Sequence, residues 1–245
     1  MKKAKDRLDV LLVARGLFST RAKAQAAIMA GKVIVDGKPA LKAGRPTAEE
    51  ARLEVLAGCP YVSRGGLKLE AALDAFAVRV PGRVCLDLGA STGGFTDCLL
   101  QRGATKVYAV DVGRAQLDDK LRLDPRVLSR ERTHARDLRP ESLMPRPDLA
   151  VIDVSFISLT AVLGHVLACL ARPFEVVALI KPQFEVGPKL APKGVVRDPK
   201  NRQLAVEKVR RALTALPVIE AGLMECPVHG PKGNVESFIH LKSIA

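Results

Sequence analysis

Tryptophan is absent from this 245-residue chain, and seven phenylalanines and two tyrosines are its only large aromatics. A broad platform for stacking single-stranded bases is therefore excluded. Cysteine is sparse and unpatterned. Cys59, Cys85, Cys98, Cys169 and Cys226 are odd in number and never spaced C-x-x-C, which excludes a zinc site and a disulfide framework. Buried free thiols in a reducing cytoplasmic setting are expected instead. No apolar run approaches the roughly 20 residues of a membrane span. The longest, Leu159 to Ala171, is broken by Gly164 and His165 and suits a core helix. The opening, MKKAKDRLDVLLVARG, imitates a signal peptide only superficially. Its apolar stretch runs only from Val10 to Ala14, after Asp6 and Asp9 and before Arg15, so no export is expected. Internal repeats and low-complexity tracts are also missing.

What the chain has in excess is positive charge. Lysine and arginine outnumber the acids 39 to 26, a formal charge of +13. Such a balance in a non-repetitive globular protein points to a polyanion, either nucleic acid or an anionic surface. With so few aromatics, shape and phosphate recognition of folded RNA fits better than base stacking, and binding should weaken steeply with salt. The length suits one large domain plus a small one.

The organising stretch is VCLDLGASTGGFTD, residues 84–97. It reads as a short buried strand, an acid at its carboxyl end (Asp87), a turn of small residues from Gly89 to Gly94, and a helix. Such a turn lets backbone approach a ligand, with the free N–H groups of the helix start facing it. The spacing is neither G-x-G-x-x-G nor G-x-x-x-x-G-K-[ST], so dinucleotide and triphosphate binding lose support. Beyond it strands and helices alternate. Strands are expected near 106–112, Val127, 148–154 and 175–181, and helices over 94–102, 158–171 and 199–215. After Pro217 the pattern turns to strand, with alternation in VESFIHLKS. This order predicts an α/β fold with a doubly wound, mostly parallel sheet.

Residues 1–60 form a unit of their own, with 61–245 as the larger domain. Leu8, Leu11 and Leu12 fall at helical spacing before Gly16. Ser19 is the expected N-cap of a second helix carrying Ala22, Ala26 and Met29 and closed by Gly31. Asp36-Gly37 within KVIVDGK signals a hairpin turn, and ARLEVL a last short strand. These residues hold 12 basic and 6 acidic side chains. Arg7, Arg15, Arg21, Lys23, Lys32 and Lys38 cluster around the helices and the turn, as candidate phosphate contacts or as an ordinary solvated face. After a short linker at Cys59-Pro60-Tyr61, YVSRGGLKLEAALDAF starts a helix with Leu69, Leu73 and Phe76 on its apolar face and Ser63 or a glycine at its cap. Lys68 sits in the first turn, where a cation opposes the macrodipole.

In an open parallel sheet, ligands bind beyond the carboxyl ends of the strands. Apolar runs here end at Asp87, Asp111, Asp153 and Lys181. Asp111 lies where an acid accepts hydrogen bonds from ribose hydroxyls. Asp137, in HARDLRP, is placed to receive an adenine amino group or to serve as a turn residue. Together they outline a pocket for adenosine joined to something other than a pyrophosphate, and S-adenosylmethionine is the natural candidate. As for the methyl acceptor, Asp153-Val-Ser-Phe lacks the Pro-Pro-aromatic run used on exocyclic amines, and no Pro-Cys supplies a nucleophile for carbon. An oxygen acceptor remains. The basic, proline-rich stretch 188–200 reads as a loop over RNA or a long surface connection.

RLDVLLVARGLFSTRAKAQAAIMAGKVIVDGK resembles the S4 RNA-binding module. SRGGLKLEAAL, LDLGASTGGFTD, AVDVG, DVSFISL, LIKPQFE and GPKGNVESF, in that order, resemble the TlyA family, whose catalytic domain is similar to the FtsJ/RrmJ ribose methyltransferases. The resemblance implies a seven-stranded, Rossmann-like class I methyltransferase sheet behind a small α+β S4 domain. S-adenosylmethionine, the candidate read from the strand ends, is expected to be bound by Asp87, Gly89, Ser91, Thr92, Gly93, Gly94, Phe95, Asp111 and Asp137. The resemblance also implies a catalytic tetrad of Lys68, Asp153, Lys181 and Glu236, no metal, and 2′-O-methylation of cytidine in ribosomal RNA, with rRNA or ribosomal subunits as partners. Lys181 would act either as base, needing a pKa near 7–8 instead of about 10.4, or as a cation stabilising an alkoxide. Competing readings are a non-catalytic ribosome-assembly factor and a membrane-lytic protein, since the family also carries a haemolysin label. Oligomeric state stays open between monomer and weak dimer.

Overall fold

The computed structural model describes residues 5–29, 32–40, 42–55, 59–230 and 233–244. The chain divides into two compact units, Met1–Pro60 and Tyr61–Ala245, each with its own core. The first runs β1 (Lys5–Arg7), α1 (Leu8–Ala14), α2 (Arg21–Met29), β2 (Val33–Val35), β3 (Lys38–Pro39), β4 (Pro46–Ala48) and β5 (Leu53–Val55). β1 pairs antiparallel with β4, and β2 lies antiparallel between β3 and β5. Leu8, Leu12, Ile28, Val33 and Val35 fill the core. Asp36 and Gly37 both have positive φ, 51° and 76°, the primed turn that Asp-Gly favours.

Two local expectations are corrected here. Thr20, not Ser19, caps α2: its Oγ1 accepts from the Lys23 N–H at 3.3 Å. Ala22, Ala26 and Met29 lie on the exposed face, and the buried face is Ala24, Ala27 and Ile28. Four alanines spread around one short helix give little apolar contrast, so Ile28, the bulkiest residue that the core can take, sets the phase. The expected closure at Gly31 falls outside the described residues.

The second unit continues with α3 (Gly65–Ala75), β6 (Val84–Leu88), α4 (Gly94–Gln101), β7 (Lys106–Val110), α5 (Asp119–Arg122), β8 (Val127–Arg130), β9 (Leu149–Ile152), α6 (Leu163–Cys169), β10 (Glu175–Ile180), α7 (Pro182–Glu185), α8 (Pro199–Leu213), β11 (Val218–Glu225) and β12 (Ser237–Ser243). The sheet order is β11-β12-β10-β9-β6-β7-β8. The five central and right-hand strands from β10 to β8 are parallel, and β12 runs antiparallel to both β10 and β11. This is the expected doubly wound, mostly parallel seven-stranded sheet. From β6 the chain proceeds outward to β7 and β8, then returns to β9 on the other side. That reversal opens a crevice beyond the carboxyl ends of β6 and β9.

β12 does not alternate as its sequence suggests. Phe238, Ile239, His240 and Leu241 are all buried. An interior strand has both faces covered, so polarity alternation is lost. Ile239 and Leu241 join the core formed with α6 and α8. On the opposite face Phe238 meets Phe95 at 6.2 Å, and His240 stacks on Phe76 at 5.3 Å.

Candidate active site

Two adjoining clefts open at the crevice. The larger, about 750 Å³, is lined by the turn after β6 (Gly89, Ser91), by Asp111 to Gly113 after β7, by Thr133 to Arg136 after β8, and by Asp153 to Ile157 after β9. The smaller, about 260 Å³, is lined by Ser63 to Gly65 and Lys68, by Gly89 to Thr92, Gly94 and Phe95, and by Asp153, Lys181 and His229. Gly89, Ser91 and Asp153 border both.

Gly89 explains how the two strand ends approach so closely. Its φ is +87°, and a Cβ there would lie 2.4 Å from the Asp153 carbonyl oxygen. Only glycine satisfies both demands. Asp111 is held open by backbone: Oδ2 accepts from Ser91 N at 2.8 Å and Oδ1 from Gly113 N at 2.7 Å. Each oxygen keeps a second lone pair for a ligand in the larger cleft.

Lys68, Asp153 and Lys181 come from α3 and from the ends of β9 and β10, and all three line the smaller cleft. Lys181 Nζ sits 2.5 Å from Asp153 Oδ1 and donates to Ser155 Oγ at 2.9 Å. The first contact is an ion pair rather than an aligned hydrogen bond, because Asp153 Oδ1 makes none in good geometry. Glu236, just before β12, is sealed from solvent and receives the Lys68 ammonium at 2.5 Å on Oε2. Gly230 covers its other oxygen, and a Cβ there would fall 2.3 Å from Oε1. Glu236 therefore touches the cleft only through Lys68.

Three expected cofactor residues sit elsewhere. Asp87 is not at the rim. It is fully buried inside β6, with Thr96 Oγ1 donating to its Oδ2 at 2.6 Å and no partner on Oδ1. Burial pushes its carboxyl up to about 7, assisted by the charges of Asp153 and Asp111 and opposed by the Thr96 hydrogen bond. Asp137 ends a short 3-10 turn, is exposed and faces neither cleft. One turn earlier, Thr133, His134 and Arg136 line the larger cleft. Gly93 starts α4 at φ +95° and packs toward Leu117 and Leu121 rather than the cleft. His229 and the 92 % exposed Phe156 at the rim were not among the expected site residues, although Phe156 lies within the DVSFISL motif. Burial pushes the thiols of Cys85 and Cys98 up to about 12 and raises Cys226, so none is an activated nucleophile.

In the N-terminal unit, buried Asp9 organises the basic side chains. It accepts from Arg7 Nε at 3.0 Å, Arg7 Nη2 and Arg21 Nη2 at 3.1 Å and Gln25 Nε2 at 2.6 Å. The Arg7 hydrogen bond comes first among the effects holding Asp9 well below the usual carboxylate range. Arg15 is committed to the backbone oxygens of Ala51 and Glu49. Lys23 bonds Ser19 Oγ at 3.2 Å, and Lys32 and Lys38 are exposed.

The family model for FtsJ-like methyltransferases matches residues 61–243, and the S4 domain model matches residues 6–52. The chain is 48% identical over 240 residues to the 16S/23S rRNA (cytidine-2′-O)-methyltransferase TlyA of Mycobacterium tuberculosis, covering 97% of this chain and 90% of the relative. It is 40% identical over 236 residues to Hemolysin A of Brachyspira hyodysenteriae, covering 96% and 98%. The solved structure of a candidate hemolysin from Streptococcus thermophilus superposes with a TM-score of 0.77 at 42% identity, covering 98% and 89%.

Proposed function

From the premise that the chain belongs to the TlyA family of FtsJ-like methyltransferases, we propose that it methylates a ribose 2′-hydroxyl of ribosomal RNA, with cytidine as the nucleoside. The observation that carries this reading is the meeting of Lys68, Asp153 and Lys181 on a small polar cleft that shares Gly89, Ser91 and Asp153 with a larger one. A 2′-hydroxyl in the first then faces a donor in the second. The larger cleft fits S-adenosylmethionine: Asp111 suits the ribose hydroxyls, Val112, Ile157 and Val162 offer apolar walls to a flat base, and the glycine turn admits the methionyl end. When bound, that cofactor supplies an electrophilic methyl carbon on a sulfonium.

The chain's own groups do the rest. Lys181, ion-paired with Asp153, presents an ammonium to the hydroxyl oxygen, which releases its proton to water as it bonds the methyl carbon, and a preorganised cation there stabilises the negative charge that develops on the oxygen. Lys68, backed by Glu236, adds a second positive group on the same cleft. Phe156, exposed at the rim with its ring 5.3 Å from Phe184, offers one aromatic face to a base splayed out of folded RNA. The Arg7, Arg21, Lys32 and Lys38 side chains supply phosphate contacts in the S4 unit. The setting is the cytoplasm, where ribosomal subunits assemble.

The test is to incubate ribosomal subunits with labelled S-adenosylmethionine and map the modified sugar. Label on a ribose 2′-oxygen, lost in Lys181→Ala, is the expected result. Cofactor binding without transfer to any ribosomal RNA would instead favour an assembly factor. Leakage of liposomes by the purified protein would favour the lytic reading that the hemolysin names suggest. Among the described residues, no helix is long and apolar enough to cross a membrane.

A further inference from the structure

Lysine is a poor choice for holding a point charge in one place, because its stem carries four rotatable bonds and its ammonium spins freely. Lys181 overcomes this with two acceptors. Asp153 and Ser155 follow β9 two residues apart, the spacing that puts side chains on one side of an extended chain. Their Oδ1 and Oγ atoms lie 2.5 and 2.9 Å from Nζ. Phe156 then adopts φ +64°, a left-handed conformation that non-glycine residues rarely take, and turns the chain away immediately after Ser155. Ser155 takes one of the three N–H directions and the Asp153 ion pair draws the ammonium to one side, so together they restrict where the remaining N–H groups point.

Resting on the 2′-O-methylation reading, we propose that Ser155 is a positioning residue for Lys181. Its hydroxyl accepts from the ammonium and, with the Asp153 ion pair, keeps Nζ at the smaller cleft, where the ribose oxygen sits. Ser155 itself is exposed and lines the larger cleft, whereas Lys181 is 9% exposed. The serine thus fixes from the cofactor side an amine that works on the substrate side. Loss of its hydroxyl leaves charge and fold intact and frees the amine to swing.

The experiment compares Ser155→Ala and Ser155→Thr with the unaltered full chain in three measurements. These are the single-turnover rate on ribosomal subunits, S-adenosylmethionine affinity by calorimetry, and acylation of Lys181 by an amine-reactive ester mapped by mass spectrometry. Ser155→Ala should slow the methyl-transfer step about ten- to hundredfold, as misplacement of a catalytic group does. Cofactor affinity should change far less than the rate, and Lys181 acylation should rise several-fold. Ser155→Thr, which keeps the hydroxyl, should restore both rate and protection. An alanine variant as fast as the unaltered chain, or a threonine variant as impaired as the alanine one, would overturn the proposal. So would unchanged acylation. If the unaltered chain methylates no ribose, the functional reading falls by itself, and the acylation comparison still decides whether Ser155 holds Lys181.

Discussion

The two lysine–carboxylate pairs beside the smaller cleft have the same length, 2.5 Å, and opposite situations. In Lys181–Asp153 the carboxylate side chain keeps 21% exposure and borders both clefts; in Lys68–Glu236 it keeps none. A pair with one member partly open to the clefts carries less folding energy than a sealed one and can exchange partners with an incoming substrate. A sealed pair is the reverse: removing one member strands a charge at a cost of about 3–5 kcal/mol. Equal distances therefore conceal different duties. Asp153 holds an amine that meets substrate, and Glu236 holds up the amine in front of it.

Isosteric neutralisation should separate them. Asp153→Asn is expected to lower the methyl-transfer rate by about a thousandfold, comparable to removing an electrostatic stabiliser of a transition state, with a smaller fall in melting temperature than Glu236→Gln. Glu236→Gln is expected to lower rate and melting temperature together. A loss of about 3–5 kcal/mol corresponds to roughly 10 °C in a unit of this size. Calorimetric melts beside single-turnover rates check both. Should Asp153→Asn melt as early as Glu236→Gln, the contrast between an open and a sealed pair would be wrong.

The open side divides again between substrate and cofactor. Asp111 borders only the larger of the two clefts and receives backbone N–H bonds on both oxygens. Asp111→Ala should weaken S-adenosylmethionine binding by about ten- to a hundredfold, the worth of one or two charged hydrogen bonds, and leave the rate at saturating cofactor within a few-fold of normal. Titration calorimetry against the saturated rate tests this. A fall confined to the saturated rate would move Asp111 to the chemistry side of the comparison.

Why some of this was legible in the sequence follows from the same contrast. Strand ends announce themselves when an apolar run stops at an ionisable side chain, and Asp111, Asp153 and Lys181 do stand just past β7, β9 and β10. Asp87 shows the same pattern yet lies one residue inside β6, because Leu88 continues the strand beneath the glycine turn. Sequence cannot distinguish an acid at a rim from one walled in behind it. The segment after β8 was recognisable, but a 3-10 turn rotates Asp137 outward and His134 inward, a matter of one short turn. The sealing of Glu236 depends on Gly230 lying against it, a tertiary contact with no local trace. Least legible was the small unit. β1 and β4 are three residues each, and β1 is exposed throughout, so neither carries a period to read.

Asp87 extends the comparison to a third carboxylate, as deeply sealed as Glu236 but facing a hydroxyl where Glu236 faces an ammonium. Without a cation, burial has its full effect, and the carboxyl is pushed up to about 7 from the ordinary value near 4. Between about pH 4 and pH 7 the folded chain then holds a proton that the unfolded chain has released. The stability tied to this proton is complete below about pH 4 and disappears as pH rises through about 7. Asp87→Asn keeps an oxygen to accept the Thr96 hydroxyl and cannot ionise. Its melting temperature relative to the parent should therefore rise between pH 5.5 and pH 8, by a few degrees at most once solvent relaxation is allowed for. A difference that stays flat across that range would mean that Asp87 remains ionised, and that a threonine hydroxyl suffices where Glu236 needs a lysine.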